Sequence, residues 1–230
     1  LDHSLPLTVG EFDEFGNAKD NKEHFDYIFS YAPYNNIKKM DYHFICPYKI
    51  PKELKFVNIG QQTPPKRDVG NRKEDFNEIY DDFIKQGAQD QSSRCSQCGV
   101  PFCQVHCPLS NNIPDWLKLT AEGRLKEAYE ISQSTNNMPE VCGRICPQDR
   151  LCEGNCVIEQ SGHGTVTIGS VEKYITDTAW DKGWVKPISV KRELKQSVGI
   201  IGAGPAGMAC AEELRKSGYQ VTIYDRYDRP

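Results

Sequence analysis

Cysteine is the residue that most constrains this chain, because eight of its ten cysteines lie in two short runs. The first run, from Cys95 to Cys107, has the spacing C-x2-C-x4-C-x3-C and is followed by proline. The second, from Cys142 to Cys156, reads C-x3-C-P-x4-C-x3-C. In a reducing cytosol, thiols at this density bind metal or carry out redox chemistry more often than they form disulfides. The chain is therefore predicted to hold a metal centre.

The spacing favours iron-sulfur clusters over zinc. A tight loop can supply three thiolates to a [4Fe-4S] cluster, and in two-cluster ferredoxins the cysteine before proline ligates the other cluster. Zinc prefers paired C-x2-4-C ligands, and each run holds more thiols than one zinc requires. Eight thiols would satisfy two clusters of four, although spacing alone leaves the partition open. Unligated buried cysteine is the third interpretation, and we adopt it for Cys46 and Cys210 outside the runs.

Length and charge exclude several classes of protein. A chain of 230 residues can bury the core of one or two domains. Its net charge of -4 argues against a nucleic-acid partner, which usually requires a basic face. No apolar run approaches the roughly 18 residues of a membrane helix. The first residues are acidic and lack an apolar core, so no export signal is predicted and a cytoplasmic location is expected.

The pattern along the chain predicts an irregular arm over residues 1–68, a helical domain over 69–185 and a charged linker over 186–196. Apolar residues at helical spacing, with proline and glycine at the ends, indicate where the helices of the domain lie. We place them at residues 73–89, 115–119, 124–133 and 169–184. The first is predicted from a stripe formed by Phe76, Ile79, Tyr80, Phe83 and Ile84.

Residues 197–230 read as strand, glycine-rich turn, helix and strand. A buried strand over 198–201 precedes a G-x-G-x-x-G motif, a helix over 206–217 and a strand over 220–224. This order is typical of the first β-α-β unit of a Rossmann-type domain, in which the acid after the second strand accepts from ribose hydroxyls. FAD and NAD share the ADP half, so these residues leave the dinucleotide open. The candidate cofactor-binding residues are Gly202, Gly204, Pro205, Ala206, Gly207 and Asp225.

The stretches RCSQCGVPFCQVHCPLSNNIPDW and EVCGRICPQDRLCEGNCVIEQSGHGTVTIGSVEKYI contain the two cysteine runs. They resemble the N-terminal iron-sulfur domain of the small (beta) subunits of NADPH-dependent glutamate synthases, a domain type shared with dihydropyrimidine dehydrogenase. The resemblance extends over residues 60–230. It implies a mainly α-helical iron-sulfur domain followed by the start of a Rossmann-type α/β FAD domain.

The resemblance also implies how two [4Fe-4S] clusters would share the cysteines. One cluster would take Cys95, Cys98, Cys103 and Cys156, and the other Cys107, Cys146 and Cys152. In the dehydrogenase the remaining ligand is a glutamine sixteen positions after the last cysteine, and here that position is Glu172.

Two further sets of residues bear on these clusters. A carboxylate can bind iron, so Glu172 is a sensible fourth ligand. The alternatives are that Glu172 is a solvent-facing helix residue next to Lys173, or that Cys142 is the fourth ligand. A buried cluster carries negative charge, for which Arg94, Arg144 and Arg150 are candidate donors.

The function that the resemblance implies is electron transfer. In the family NADPH reduces FAD by hydride transfer, and electrons then pass singly through the clusters to a large subunit that contains FMN and an iron-sulfur cluster. There, glutamate is formed from glutamine and 2-oxoglutarate. The glycine motif for NADPH comes later in the family than residue 230, so this chain alone is expected to be inactive, with no catalytic residue of its own. A subunit of an NADPH:ferredoxin-type (bifurcating) oxidoreductase and a structural iron-sulfur module are the alternatives.

Overall fold

The computed structural model describes residues 54–227 together with Lys22. Most of the predicted arm, including Cys46, lies outside the described residues. Its described part, residues 54–68, contains one 3-10 turn at Lys55–Val57 and otherwise irregular backbone. This part is fastened to the helical domain, because Gln91 Nε2 donates to the Gly60 carbonyl at 3.0 Å.

The described chain is mainly helical and ends in a two-stranded parallel sheet, which confirms the predicted fold class. None of the helices in this part of the chain is both long and apolar enough to span a membrane. The elements are α1 (Val69–Glu74), α2 (Lys85–Ser93), α3 (Phe102–Val105), α4 (Ile113–Ala121), α5 (Leu125–Gln133), α6 (Pro139–Ile145), α7 (Val157–Gln160), α8 (Ile168–Asp181), β1 (Ser197–Ile201), α9 (Pro205–Lys216) and β2 (Gln220–Tyr224).

Helix α8 lies at the centre of the helical domain, in contact with α2, α4, α5 and α6. Val171, Ile175 and Ala179 follow one another at four-residue spacing and have no exposed surface, and Trp116 of α4 belongs to the same core. Burying such side chains contributes about 1.5–3 kcal/mol each for the larger ones. Because α8 also carries Glu172, the packing that holds this helix fixes the position of that carboxylate.

The helix predicted to run unbroken over residues 73–89 is wrong over residues 75–84. Helix α1 ends at Glu74, and the chain stays non-helical until α2 begins at Lys85. The intervening stretch pairs with residues 65–67 instead: the Arg67 N–H donates to the Ile79 carbonyl at 2.9 Å. The Arg67 guanidinium also bonds the Asp75 carboxylate at 2.6 Å. These long-range bonds outweigh the local helical pattern, and Phe76 of the proposed stripe is fully exposed.

The other predicted helices are present, with ends shifted by a few residues. The helix predicted over 115–119 begins earlier, at Ile113, because Pro114 is favoured in the first turn. The prediction over 124–133 corresponds to α5, and that over 169–184 to α8, which ends earlier than predicted at Asp181.

Residues 197–224 form the predicted β-α-β unit, although β1, which was predicted to be a buried strand, contains no buried residue. Strands β1 and β2 are parallel, with Ser197 opposite Gln220 and Ile201 opposite Tyr224. Gly202 turns the chain from β1 toward α9 with a φ of 108°, which favours glycine. A Cβ at Gly207 would lie 2.0 Å from the Gly202 carbonyl oxygen, so only glycine allows the turn and helix to approach this closely.

Helices α6 and α8 approach each other closely at Gly143. A Cβ on this residue would lie 2.8 Å from the Lys173 backbone nitrogen and 3.0 Å from the Gly169 carbonyl oxygen. Both neighbours are main-chain atoms inside a packed helix, so they cannot move aside cheaply. The contact holds the helix with Cys142 against the helix with Glu172.

We expect Gly143→Ala to push α6 away from α8 and to lower the free energy of unfolding by roughly 1–3 kcal/mol, the usual cost of overpacking. Urea unfolding of the two proteins measures the difference. Gly60→Ala is the matched control, since no atom lies within 4 Å of its added Cβ. Equal losses in the two variants would contradict the close approach of the helices.

Candidate metal centres

The first group of predicted ligands lines a single cavity. Cys95 and Cys98 lie in the loop after α2, Cys103 lies in α3, and Cys156 immediately precedes α7. Thiols from both runs therefore meet at this place. This cavity is small, about 20 Å³.

Burial dominates the electrostatics of this first group. It raises the pKa of Cys95 to about 11 and that of Cys103 to about 12, and the neighbouring thiols add to the rise. Gln97 Nε2 donates to Cys95 Sγ at 3.3 Å, and Ser96 Oγ lies 3.2 Å from Cys98 Sγ. Several thiolates in one buried space would repel each other unless a metal neutralised them. The soft thiol donors fit iron of an iron-sulfur cluster.

The second group of predicted ligands lines a larger cavity of about 260 Å³. Cys107 follows α3, Cys146 lies just past the end of α6, Cys152 precedes α7, and Glu172 projects from α8. Cys142 of α6 lines the same cavity, so both candidates for the fourth ligand are present there. This cavity again combines a cysteine of the first run with cysteines of the second.

The two cavities are neighbours in the fold. Ile168, the first residue of α8, is buried and lines both of them. The adjacent residues Ile113 and Pro114, at the start of α4, line the second and the first cavity respectively. The two groups of ligands are therefore separated by a layer that is one side chain thick.

Glu172 and Cys142 differ in their surroundings although they line one cavity. Burial raises the pKa of Glu172 to about 7, against the lowering effect of a 3.1 Å hydrogen bond from Asn136 Nδ2 to its Oε1. Burial also raises the pKa of Cys142 to about 12, and its thiol donates to Asn136 Oδ1 at 3.5 Å. Asn136 therefore touches both candidates, and no sequence signal marked it.

Among residues 54–227, no group of three or more His, Cys, Asp and Glu side chains is gathered closely enough to hold one metal ion. The cysteines instead line the walls of the two cavities, an arrangement that suits a core of several atoms. Cys210 was predicted to be an unligated buried cysteine, and the burial is wrong, because Cys210 is exposed on α9.

The three predicted arginine donors have different environments. Arg94 has no exposed surface and donates to main-chain carbonyls, among them those of His163 at 2.7 Å and Gly164 at 2.8 Å. Arg144 lies instead in an ion pair with Asp177, and the side chain of Arg150 is 84% exposed. Of these three arginines, Arg94 is the one that is buried beside a cysteine run.

An ion-pair network that the sequence did not reveal joins residues 78–82 to α6 and α8. The Lys173 ammonium is largely buried and lies 2.6 Å from Asp82 and 3.3 Å from Asp177. Glu78 bonds Arg144 at 3.2 Å and lies 3.6 Å from Lys173. The network anchors the stretch that was expected to be helical.

The predicted dinucleotide residues gather at the carboxyl end of β1. Gly204 precedes α9, whose first residues are Pro205 and Ala206. Asp225 accepts from the Ala203 N–H at 2.6 Å and from the Tyr227 N–H at 2.9 Å. These backbone donors lower the pKa of Asp225, which keeps its carboxylate charged beside the glycine turn.

A comparison with protein families matches residues 72–184 to the model described as dihydropyrimidine dehydrogenase domain II, 4Fe-4S cluster. Residues 72–184 therefore form a 4Fe-4S domain of the type that this model describes. Residues 200–230 match a second model, described as an NAD(P)-binding Rossmann-like domain. These two matches confirm the predicted fold class.

The chain is also similar to several curated proteins. It is 72% identical over 176 residues to the glutamate synthase [NADPH] small chain of Azospirillum brasilense. The aligned region covers 76% of this chain and 36% of the relative. It is 48% identical over 172 residues to the small chain of Escherichia coli, covering 75% of this chain and 36% of the relative. A putative oxidoreductase of Escherichia coli, AegA, is 48% identical over 165 residues, or 71% of this chain and 25% of the relative. The chain thus spans about a third of the length of these relatives or less.

Proposed function

We propose that this chain is the electron-transfer part of a glutamate synthase small subunit and holds two [4Fe-4S] clusters. The observation that carries the proposal is the sharing of thiols: each cavity is lined by cysteines of both runs. The 72% identity to a small chain supports the choice of enzyme, an oxidoreductase.

In this proposal the two groups of residues each hold one cluster. Cys95, Cys98, Cys103 and Cys156 are the ligands of the first. The ligands of the second are Cys107, Cys146, Cys152 and Glu172. When bound, such clusters accept and release single electrons. The protein contributes the thiolates, and the buried Ile168, which lines both cavities, keeps the two sites adjacent.

The β-α-β unit would bind the ADP half of FAD. The glycine turn lets the chain approach a pyrophosphate, the start of α9 offers free N–H groups, and the charged Asp225 can accept from a ribose. NADPH would then reduce the flavin from a site beyond these 230 residues. The acceptor would be a large subunit with FMN and an iron-sulfur cluster, in the cytoplasm, where glutamate is made from glutamine and 2-oxoglutarate.

A second function is favoured by one observation. The 48% identity to the putative oxidoreductase AegA indicates that this architecture also occurs in proteins with another name. An NADPH:ferredoxin-type oxidoreductase subunit would use the same ligands and differ in its electron acceptor. Electron transfer from the reduced, full-length subunit to a glutamate synthase large subunit, rather than to ferredoxin, distinguishes the two.

Anaerobically purified chain is expected to contain about eight iron and eight sulfide, because each cubane has four of each. Dithionite should reduce at least one cluster to a state with an EPR signal. About two zinc per chain with no sulfide would contradict the electron-transfer proposal. Clusters that resist dithionite would favour the structural module instead.

A further inference from the structure

Asn136 is a buried polar residue that connects the two candidates for the fourth ligand of the second cluster. It lies between α5 and α6, is 4% exposed and lines the second cavity. Its side chain contacts Glu172 on one side and Cys142 on the other. A buried amide needs partners for both ends, and here these partners are the two rival ligands.

The backbone fixes which way the amide faces. The Met138 N–H, which can only donate, is 3.0 Å from Asn136 Oδ1. The amide oxygen must therefore point toward Met138, and this leaves the NH2 group facing Glu172 Oε1 at 3.1 Å. The same oxygen accepts from the Cys142 thiol at 3.5 Å. The amide thus offers a donor to the carboxylate and only an acceptor to the thiol.

We propose that Asn136 is the positioning residue that selects Glu172 rather than Cys142 as the fourth ligand. The inference rests on the proposed second cluster. By holding Oε1 of Glu172, the amide orients the carboxylate and leaves Oε2 free for iron. By accepting from Cys142, it ties that sulfur to the loop. Outer contacts of this kind commonly orient metal ligands.

Asn136→Asp tests the direction of these hydrogen bonds with little change in the shape of the side chain. In this variant the Met138 N–H still has an oxygen acceptor. The side-chain atom that faces Glu172, however, changes from an NH2 donor to an acceptor oxygen, which repels the Glu172 carboxylate. We expect iron to fall from about eight to about four per chain, with loss of one EPR signal. Glu172→Ala should remove the same signal, and Cys142→Ser should leave both.

Two further variants control the experiment. Asn137→Asp makes the same chemical change one residue away, where Asn137 donates to the exposed Glu213 at 2.6 Å, and should leave iron and spectra unchanged. The combination of Asn136→Asp with Glu172→Gln restores a hydrogen bond of reversed direction, because the new glutamine amide can donate. It should recover the lost signal, which a purely structural role of Asn136 does not predict.

The outcomes separate this inference from the proposed function. Wild-type chain without iron or sulfide would refute the proposed function itself. Eight iron in wild type together with a wild-type spectrum in Asn136→Asp would refute only the role of Asn136, as would loss of a signal in Cys142→Ser but not in Glu172→Ala. If Asn136→Asp loses both signals through misfolding, the combined variant decides: recovery supports the inference, and failure to recover overturns it.

Discussion

Replacing Arg94 with alanine should lower the free energy of unfolding by about 3–5 kcal/mol, the range for breaking a buried polar network. The guanidinium donates to the carbonyls of Ile59 at 2.9 Å, His163 at 2.7 Å and Gly164 at 2.8 Å, and also to that of Thr165. It therefore joins the end of α2 to two distant segments of the chain. Alanine would leave these acceptors without their donor and a void in their midst.

Urea unfolding of the anaerobically purified chain, followed by tryptophan fluorescence, measures this loss. Arg94→Lys keeps the charge but cannot reach all the carbonyls, so an intermediate loss is expected. Arg150→Ala removes an arginine whose side chain is 84% exposed, and it should change the free energy by less than about 0.5 kcal/mol. A loss in Arg94→Ala no larger than that in Arg150→Ala would contradict the structural role of Arg94.

The sequence predicted best where the signal was local. Turn, helix and strand of the β-α-β unit follow from steric demands at Gly202 and Gly207, and these demands act within a few residues. The prediction for residues 75–84 was wrong for the opposite reason. Its helical pattern is local, but its hydrogen bonds to residues 65–67 and its ion pairs to α6 and α8 are not. Propensity is a weak guide wherever such contacts compete.

The candidate site shows the same division. Cysteine spacing predicted metal ligands, but it left open which thiols share a cluster, and the partition came only from the family resemblance. The role inferred for Asn136 had no signal, because asparagine before a helix ordinarily indicates a turn. Its contact with Glu172, which lies on α8, arises only when α6 packs against α8.

Two double variants should retain different numbers of clusters although each removes two thiols. Cys107→Ala with Cys152→Ala takes both from the second cavity and should leave the first cluster, with about four iron per chain. Cys103→Ala with Cys107→Ala takes two neighbours from the first run, but one from each cavity. It should lose both clusters and nearly all iron. The sharing of ligands between the runs is the only source of this difference.

Iron content of these two variants, measured after anaerobic purification, is the most direct test of the shared arrangement. About four iron per chain are expected when Cys107 and Cys152 are replaced, and almost none when Cys103 and Cys107 are replaced. The reverse result, with iron retained only in the variant that loses two cysteines of one run, would mean that each run closes on its own cluster and would contradict the account.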